Sequence, residues 1–140
     1  MKVKLLIVDD EPEIREMVQR HFRFLGFEVD VAEHGAQALQ VMGEARYDIV
    51  ISDIMMPVMN GTEMLREIRR QYPMTHVIMM TGYVTMDNAL TCMRLGADTL
   101  IFKPLEELGQ LEQAVADAVK HIGHWLDLLK QLQSMKPPTA

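Results

Sequence analysis

Residues 49–61 read Ile49-Val50-Ile51-Ser52-Asp53-Ile54-Met55-Met56-Pro57-Val58-Met59-Asn60-Gly61. An apolar run ends at a single carboxylate, and the residues after it cannot continue a strand. Proline removes a backbone donor and fixes φ, and the glycine four residues later tolerates a tight path. Asp53 is therefore expected at the carboxyl end of a buried strand, where open α/β sheets hold their chemistry.

Upstream, residues 3–8 (VKLLIV) form a continuous apolar run, read as a strand covered on both faces. Asp9-Asp10-Glu11-Pro12 stops it; Asp10 or Glu11 can cap a helix, and Pro12 suits its first position. Ile14, Met17, Val18, His21, Phe22 and Leu25 keep a helical period that Gly26 ends. Residues 27–32 alternate as a strand, and residues 35–46 carry a second helix. A third strand over 47–52 feeds Asp53. Downstream, a helix over 61–71 is closed by Tyr72-Pro73, and a strand over 76–80 ends at Thr81-Gly82. Thr85 can cap a helix over 86–95 ended by Gly96, a short strand covers 98–102, and Leu105 opens the last helix after Lys103-Pro104. Strand and helix alternate five times with short connections. That implies a doubly wound parallel sheet with helices on both faces.

The last helix keeps its apolar spacing beyond Ile122. Leu108, Leu111, Val115, Ala118, Ile122, Trp125, Leu129 and Leu132 step by threes and fours. Up to Ile122 this stripe is the face that covers the domain. Trp125, Leu126, Leu128, Leu129 and Leu132 have no obvious core left to cover, and an exposed patch of that kind marks an interface. The expected division is a domain over 1–122, a helical extension over 123–133 and a flexible tail over 134–140. The extension is read as pairing with a second copy or leading into an output domain, against a plainer reading in which it folds back on its own domain. A DNA-binding domain is not expected in residues 133–140.

Bulk properties narrow the class. The chain has 140 residues, 49% of them hydrophobic, a net charge of −6 and pI near 5.3. The acidic balance argues against direct nucleic-acid binding, and no apolar stretch approaches the roughly 20 residues that span a bilayer. The first residues run straight into a strand, so no signal peptide is expected. The lone Cys92 fits a reducing compartment and a structural role. Thirteen Met residues fall mostly at core spacing, and the five His show no metal-ligand spacing. The expectation is one soluble cytoplasmic domain.

In such a sheet the carboxyl ends of the strands share one edge, which gathers Asp9, Asp10, Asp53, Thr81 and Lys103. Three carboxylates cannot crowd together without a cation to offset their repulsion, and oxygen ligands suit Mg²⁺. A lysine and a hydroxyl beside such an ion meet the needs of a transferring phosphoryl group, and an Asp carboxylate can be its nucleophile.

Asp9-Asp10, Asp53 with Met56-Pro57 and Gly61, Thr81-Gly82 and Lys103-Pro104 closely resemble the receiver domain of two-component response regulators, over about residues 3–122. The resemblance implies a flavodoxin-like, CheY-like (βα)5 fold with strand order 2-1-3-4-5, here with an extended last helix. It implies that Asp53 accepts a phosphoryl group from a sensor histidine kinase or histidine phosphotransfer protein. Asp10, Asp53 and the Met55 backbone carbonyl would ligate Mg²⁺, with Asp9 acting through water. Lys103 and the Thr81 hydroxyl would contact the phosphoryl oxygens, and Lys103-Pro104 is a cis peptide in the family. The output would be a change in the face formed by the fourth helix, fifth strand and fifth helix, read by a downstream protein or an output domain. Such a chain is a switch and not an enzyme, beyond slow self-phosphorylation from small phosphodonors and slow self-dephosphorylation.

One position departs from the family. A Tyr or Phe usually stands three residues before the lysine and follows the threonine as a rotamer switch; here the place holds Leu100. The coupling is expected to run through repacking of Leu100 and Val84. Met55 and Tyr83 match positions that flank the phosphoryl group, and their bulk suggests slower water access. Two other classes compete: an α/β phosphohydrolase-type enzyme and a receiver that works without phosphorylation. Neither the Asp-x-Asp pattern of aspartyl-phosphate hydrolases nor a Gly-rich phosphate loop follows the first strand, and the acidic set is complete.

Overall fold

The computed structural model describes residues 2–103, 107–135 and 137–138. Five strands and five helices alternate: β1 (Lys4–Val8), α1 (Pro12–Phe24), β2 (Glu28–Ala32), α2 (Gly35–Met42), β3 (Ile49–Asp53), α3 (Gly61–Gln71), β4 (His76–Thr81), α4 (Met86–Arg94), β5 (Thr99–Phe102) and α5 (Gly109–Ser134). All neighbouring strands are parallel, in the order β2-β1-β3-β4-β5. This is the doubly wound sheet the alternation implies.

In β1, β3 and β4 the side chains alternate between two cores, which is why these strands read as nearly unbroken apolar runs, whereas the edge strand β2 alternates. Leu5, Ile7, Ile49, Ile51, Ile78 and Met80 pack beneath α1 and α5, against Val18, Phe22, Leu111 and Val115. Leu6, Val8, Val50, Val77 and Met79 pack beneath α2, α3 and α4, against Ala38, Met64, Leu65, Ile68 and Cys92. Cys92 is a buried free thiol whose pKa burial pushes up, so its role is packing. Among the described residues no helix is long and apolar enough to cross a membrane.

Helix ends follow local chemistry, with corrections. Thr85 Oγ1 accepts from the Asn88 amide (3.1 Å), which starts α4 as expected; at α3 the expected range holds, and Asn60, not named from the sequence, supplies the cap by accepting from the Glu63 amide (3.0 Å). At α1 neither Asp10 nor Glu11 caps through its side chain; Asp9 Oδ1 accepts from the Glu11 amide instead (2.9 Å), and Pro12 leads the first turn. Helix α2 stops at Met42, shorter than the expected 35–46, because the Gly43 amide closes it onto Leu39 and Gln40. Leu105 lies outside the described residues, and α5 is described from Gly109. It continues unbroken to Ser134.

The loop after β3 folds back sharply. The Gly61 amide donates to the Ile54 carbonyl (2.7 Å), and a Cβ on Gly61 would collide with the Asp53 carbonyl oxygen and with Ile54 Cα. Only glycine allows this close approach. Within the loop, Met59 donates to Pro57 O (2.8 Å) around Val58, which sits at φ 69°, a strained conformation for a β-branched residue.

Candidate functional site

The carboxyl edge of the sheet brings Asp9, Asp53, Thr81 and Lys103 together from four strand ends. Asp9 follows β1, and Asp53 closes β3 beside Met80 of β4. Thr81 ends β4, and the Lys103 amide donates to the Thr81 carbonyl (2.7 Å), which holds the start of the β5 exit against the same edge. Asp9, Asp53 and Thr81 are buried.

The Lys103 ammonium stands among three carboxylates. It donates to Asp9 Oδ2 (2.8 Å), Asp53 Oδ2 (2.9 Å) and Glu11 Oε1 (2.9 Å), with only 8% of its side chain exposed. Burial alone would push its pKa down; the hydrogen bonds it donates to Asp9, Asp53 and Glu11 outweigh burial and raise it, so it stays charged. Burial raises the Asp9 pKa, and the bonds from Lys103 and the Glu11 amide only partly offset that. A buried carboxylate of this kind gains from any further cation that reaches it.

Asp53 makes two bonds that fix its orientation. Oδ2 accepts from Lys103, and Oδ1 accepts from the Met55 amide (3.2 Å). One side of the carboxylate is thus held by the chain, while the acidic cluster borders it. Asp9, Asp10, Glu11 and Asp53 each offer an oxygen, all within 4.8 Å of one another. Four carboxylates against one lysine leave an excess of negative charge made wholly of oxygen donors, a set that fits a hard divalent cation.

Glu11 is the member that the sequence did not single out. Its neighbours Asp9 and Asp10 were legible as an acidic pair, yet Glu11 read as a helix cap. Its side chain makes no cap and reaches Lys103 instead (2.9 Å).

Thr81 is at the edge but turned aside. Its hydroxyl donates to the Tyr83 carbonyl (2.6 Å) and accepts from the Tyr83 amide (3.2 Å), so its hydrogen bonds close on its own turn. Val84 and Leu100 are half-buried against the core beneath α2, α3 and α4. Tyr83, Met55 and Phe102 are exposed around the edge. Pro104, and with it the Lys103–Pro104 peptide, lies outside the described residues.

At the far end of α5, Trp125, Leu128, Leu129 and Leu132 are exposed. Trp125, Leu126 and Leu129 overhang the amino end of the sheet and line a groove of about 1060 Å³, whose other wall includes Tyr47, Tyr72 and Met74. The extension is neither packed down as an ordinary core helix nor remote from the domain.

Five strands in this order, with a buried Asp–Lys–Asp cluster at their carboxyl edge, define a class of protein. The chain belongs to the response regulator receiver domain family, whose sequence model matches residues 5–116. It is 37% identical over 133 residues to Regulatory protein AtoC of Escherichia coli (strain K12), covering 95% of this chain and 26% of that one. Among solved structures it is similar to the CheY-like receiver domain protein from Methanospirillum hungatei JF-1, with TM-score 0.82 and 28% identity over 89% of this chain and 99% of that one. It is also similar to response regulator TrrA from Thermotoga maritima in complex with Mg(2+)-BeF, with TM-score 0.75 and 35% identity over 84% and 99% of the two chains. The chain spans about a quarter of the length of the curated relatives AtoC, ZraR and PilR.

Proposed function

We propose that Asp53 is the phosphoacceptor of a two-component relay. A carboxylate oxygen of Asp53 attacks the phosphorus of a phosphohistidine on a kinase or phosphotransfer protein, the P–N bond breaks, and an acyl phosphate forms as the imidazole leaves. The observation that carries this reading is the Lys103 ammonium held 2.9 Å from Asp53 Oδ2, a fixed positive charge where phosphoryl oxygens gather. Asp10, Asp53 and the Met55 carbonyl would hold Mg²⁺, with Asp9 acting through water. Bound there, the ion would neutralise phosphoryl charge. Thr81 must give up its two bonds to Tyr83 before its hydroxyl can turn to the phosphoryl group, and Leu100 and Val84 are the neighbours whose packing that motion would disturb. Glu11 would lose Lys103 to the new phosphoryl oxygens.

This reading makes the chain a switch whose own chemistry is slow, acting in the cytoplasm on a downstream protein or output domain. It divides residues 1–122 from an extension over 123–133, with residues 134–140 as a tail; Lys136, Thr139 and Ala140 of that tail lie outside the described residues. Trp125, Leu129 and Leu132 would pair the extension with a second copy. Sedimentation mass with and without Trp125→Ala tests the pairing; a wild-type monomer overturns it. For the phosphoacceptor, incubation with acetyl phosphate and Mg²⁺ followed by intact mass should show one phosphoryl gain that Asp53→Asn abolishes.

A further inference from the structure

At the amino end of the sheet, opposite Asp53, four side chains form one hydrogen-bonded row. Trp125 Nε1 donates to His121 Nε2 (3.2 Å), His121 Nδ1 meets His76 Nε2 (3.3 Å), and His76 Nδ1 meets Asp98 Oδ2 (2.7 Å). An indole N–H can only donate, so it sets every proton in the row. His121 Nε2 must be a lone pair, which places the His121 proton on Nδ1, facing His76. His76 Nε2 must then accept, and its proton lies on Nδ1, facing the Asp98 carboxylate. All three bonds form only when both imidazoles are neutral.

One added proton cannot be accommodated without breaking a bond. On His76 it makes an imidazolium that keeps Asp98 on one side and donates to His121 Nδ1 on the other. His121 then carries its own proton on Nε2, pointing at the Trp125 N–H. Two donors face each other there, and the Trp125 bond is lost while the bonds to His76 and Asp98 survive. The charged pair with Asp98 makes this arrangement better than a proton trapped between the two imidazoles.

We propose that this row is a proton-operated latch, in which proton uptake by the His76–His121 pair unties Trp125 and frees its indole from the groove under the α5 extension. Trp125 lines that groove with Leu126 and Leu129, so the latch sets how much of the extension's apolar surface faces outward. The row is anchored in β4, the strand that ends at Thr81. Other charges face it from several elements. Arg69 of α3 lies near Asp98 and is held by the carbonyls of Pro73, Thr75, Leu95 and Gly96. Glu44, Arg46 and Asp48 line the groove from the α2–β3 connection, with Tyr47 and Tyr72. Asp117, Lys120 and His124 lie along α5 within a turn of His121.

Trp125 is the one tryptophan in the chain, so the emission comes from that side chain alone. Titration between pH 5 and 8, where imidazoles change charge, should move the emission maximum to longer wavelength on the acid side with the slope of about one proton. His121→Gln, at an exposed position, should remove the transition, and His124→Gln should leave it intact. Asp98→Asn should move the midpoint to lower pH by removing the carboxylate that faces the imidazolium. Circular dichroism confirms that each variant is folded; if His76→Gln does not fold, the His121 and Asp98 variants decide. Flat wild-type emission overturns the latch. So does a transition that survives His121→Gln, one that disappears with His124→Gln, or a midpoint unmoved by Asp98→Asn.

Discussion

Lys103 Nζ lies 2.9 Å from Asp53 Oδ2 and 2.8 Å from Asp9 Oδ2, with all three side chains almost wholly buried. The lysine is therefore the counter-charge of two carboxylates as well as a contact for a phosphoryl group. Lys103→Met should leave Asp9 and Asp53 buried without a counter-charge, and breaking a buried pair costs about 3 kcal/mol or more. Urea unfolding without divalent cations reads that loss. Adding Mg²⁺ should recover part of it, because a ligand that binds only the folded state stabilises it. Equal stability of the two proteins in chelator would contradict this assignment.

Gly61 is expected to be intolerant of a side chain for a reason unrelated to its helix. A Cβ there meets the Asp53 carbonyl, so the strand end must shift to make room. Gly61→Ala should lower stability by about 1–3 kcal/mol, the usual cost of overpacking. Because the displaced carbonyl belongs to Asp53 itself, phosphorylation by acetyl phosphate should slow as well. Thermal unfolding and a time course of intact mass measure the two effects.

Tyr47 supplies a pH dependence far from the site. Its hydroxyl donates to Asp30 Oδ2 (2.6 Å); burial first, then this bond and the Asp30 and Glu44 charges, raise its pKa above the ordinary phenol value. A raised folded pKa means the folded state holds its proton more tightly. The resulting stability is fully present below pH ~10, the unfolded phenol value, and is lost as pH rises from there towards the folded pKa. Wild type minus Tyr47→Phe, followed by urea unfolding, should fall with a slope of up to about 1.4 kcal/mol per pH unit above that point. A difference that stays level to high pH would contradict the hydrogen bond to Asp30.

Leu100 tests the route of the signal. It is half-buried with Val84 on the α2–α3–α4 side of the sheet, and Thr81 lies one strand away. Leu100→Ala should cost about 2 kcal/mol, the low end for leucine truncations, and leave the phosphorylated fraction unchanged. What it should reduce is the change in amide exchange that phosphorylation causes in α4 and β5. An undiminished exchange response in the variant would place the coupling elsewhere.

The sheet was legible because parallel strands buried on both faces are written as unbroken apolar runs, and residues 3–8 and 49–52 are such runs. Helix α3 was legible to the residue because Gly61 opens it after the Pro57 loop and Tyr72-Pro73 closes it. Helix α2 was overextended, since Ala45 still fits the apolar period after Gly43 has closed the last turn. The acidic pair and Lys103 were visible as strand-end residues. That Glu11 would join them depended on Lys103 reaching it from 92 positions away, a contact made by three-dimensional geometry. The row from Trp125 to Asp98 was out of reach for the same reason: His76 and His121 are 45 positions apart, and no local pattern links them.

The most direct test of the central claim is intact mass after incubation with acetyl phosphate and Mg²⁺, on wild type and Asp53→Asn together. The account expects a single phosphoryl gain in wild type, none in Asp53→Asn, and loss of the gain when Mg²⁺ is chelated beforehand. No gain in wild type, or an equal gain in Asp53→Asn, would contradict it.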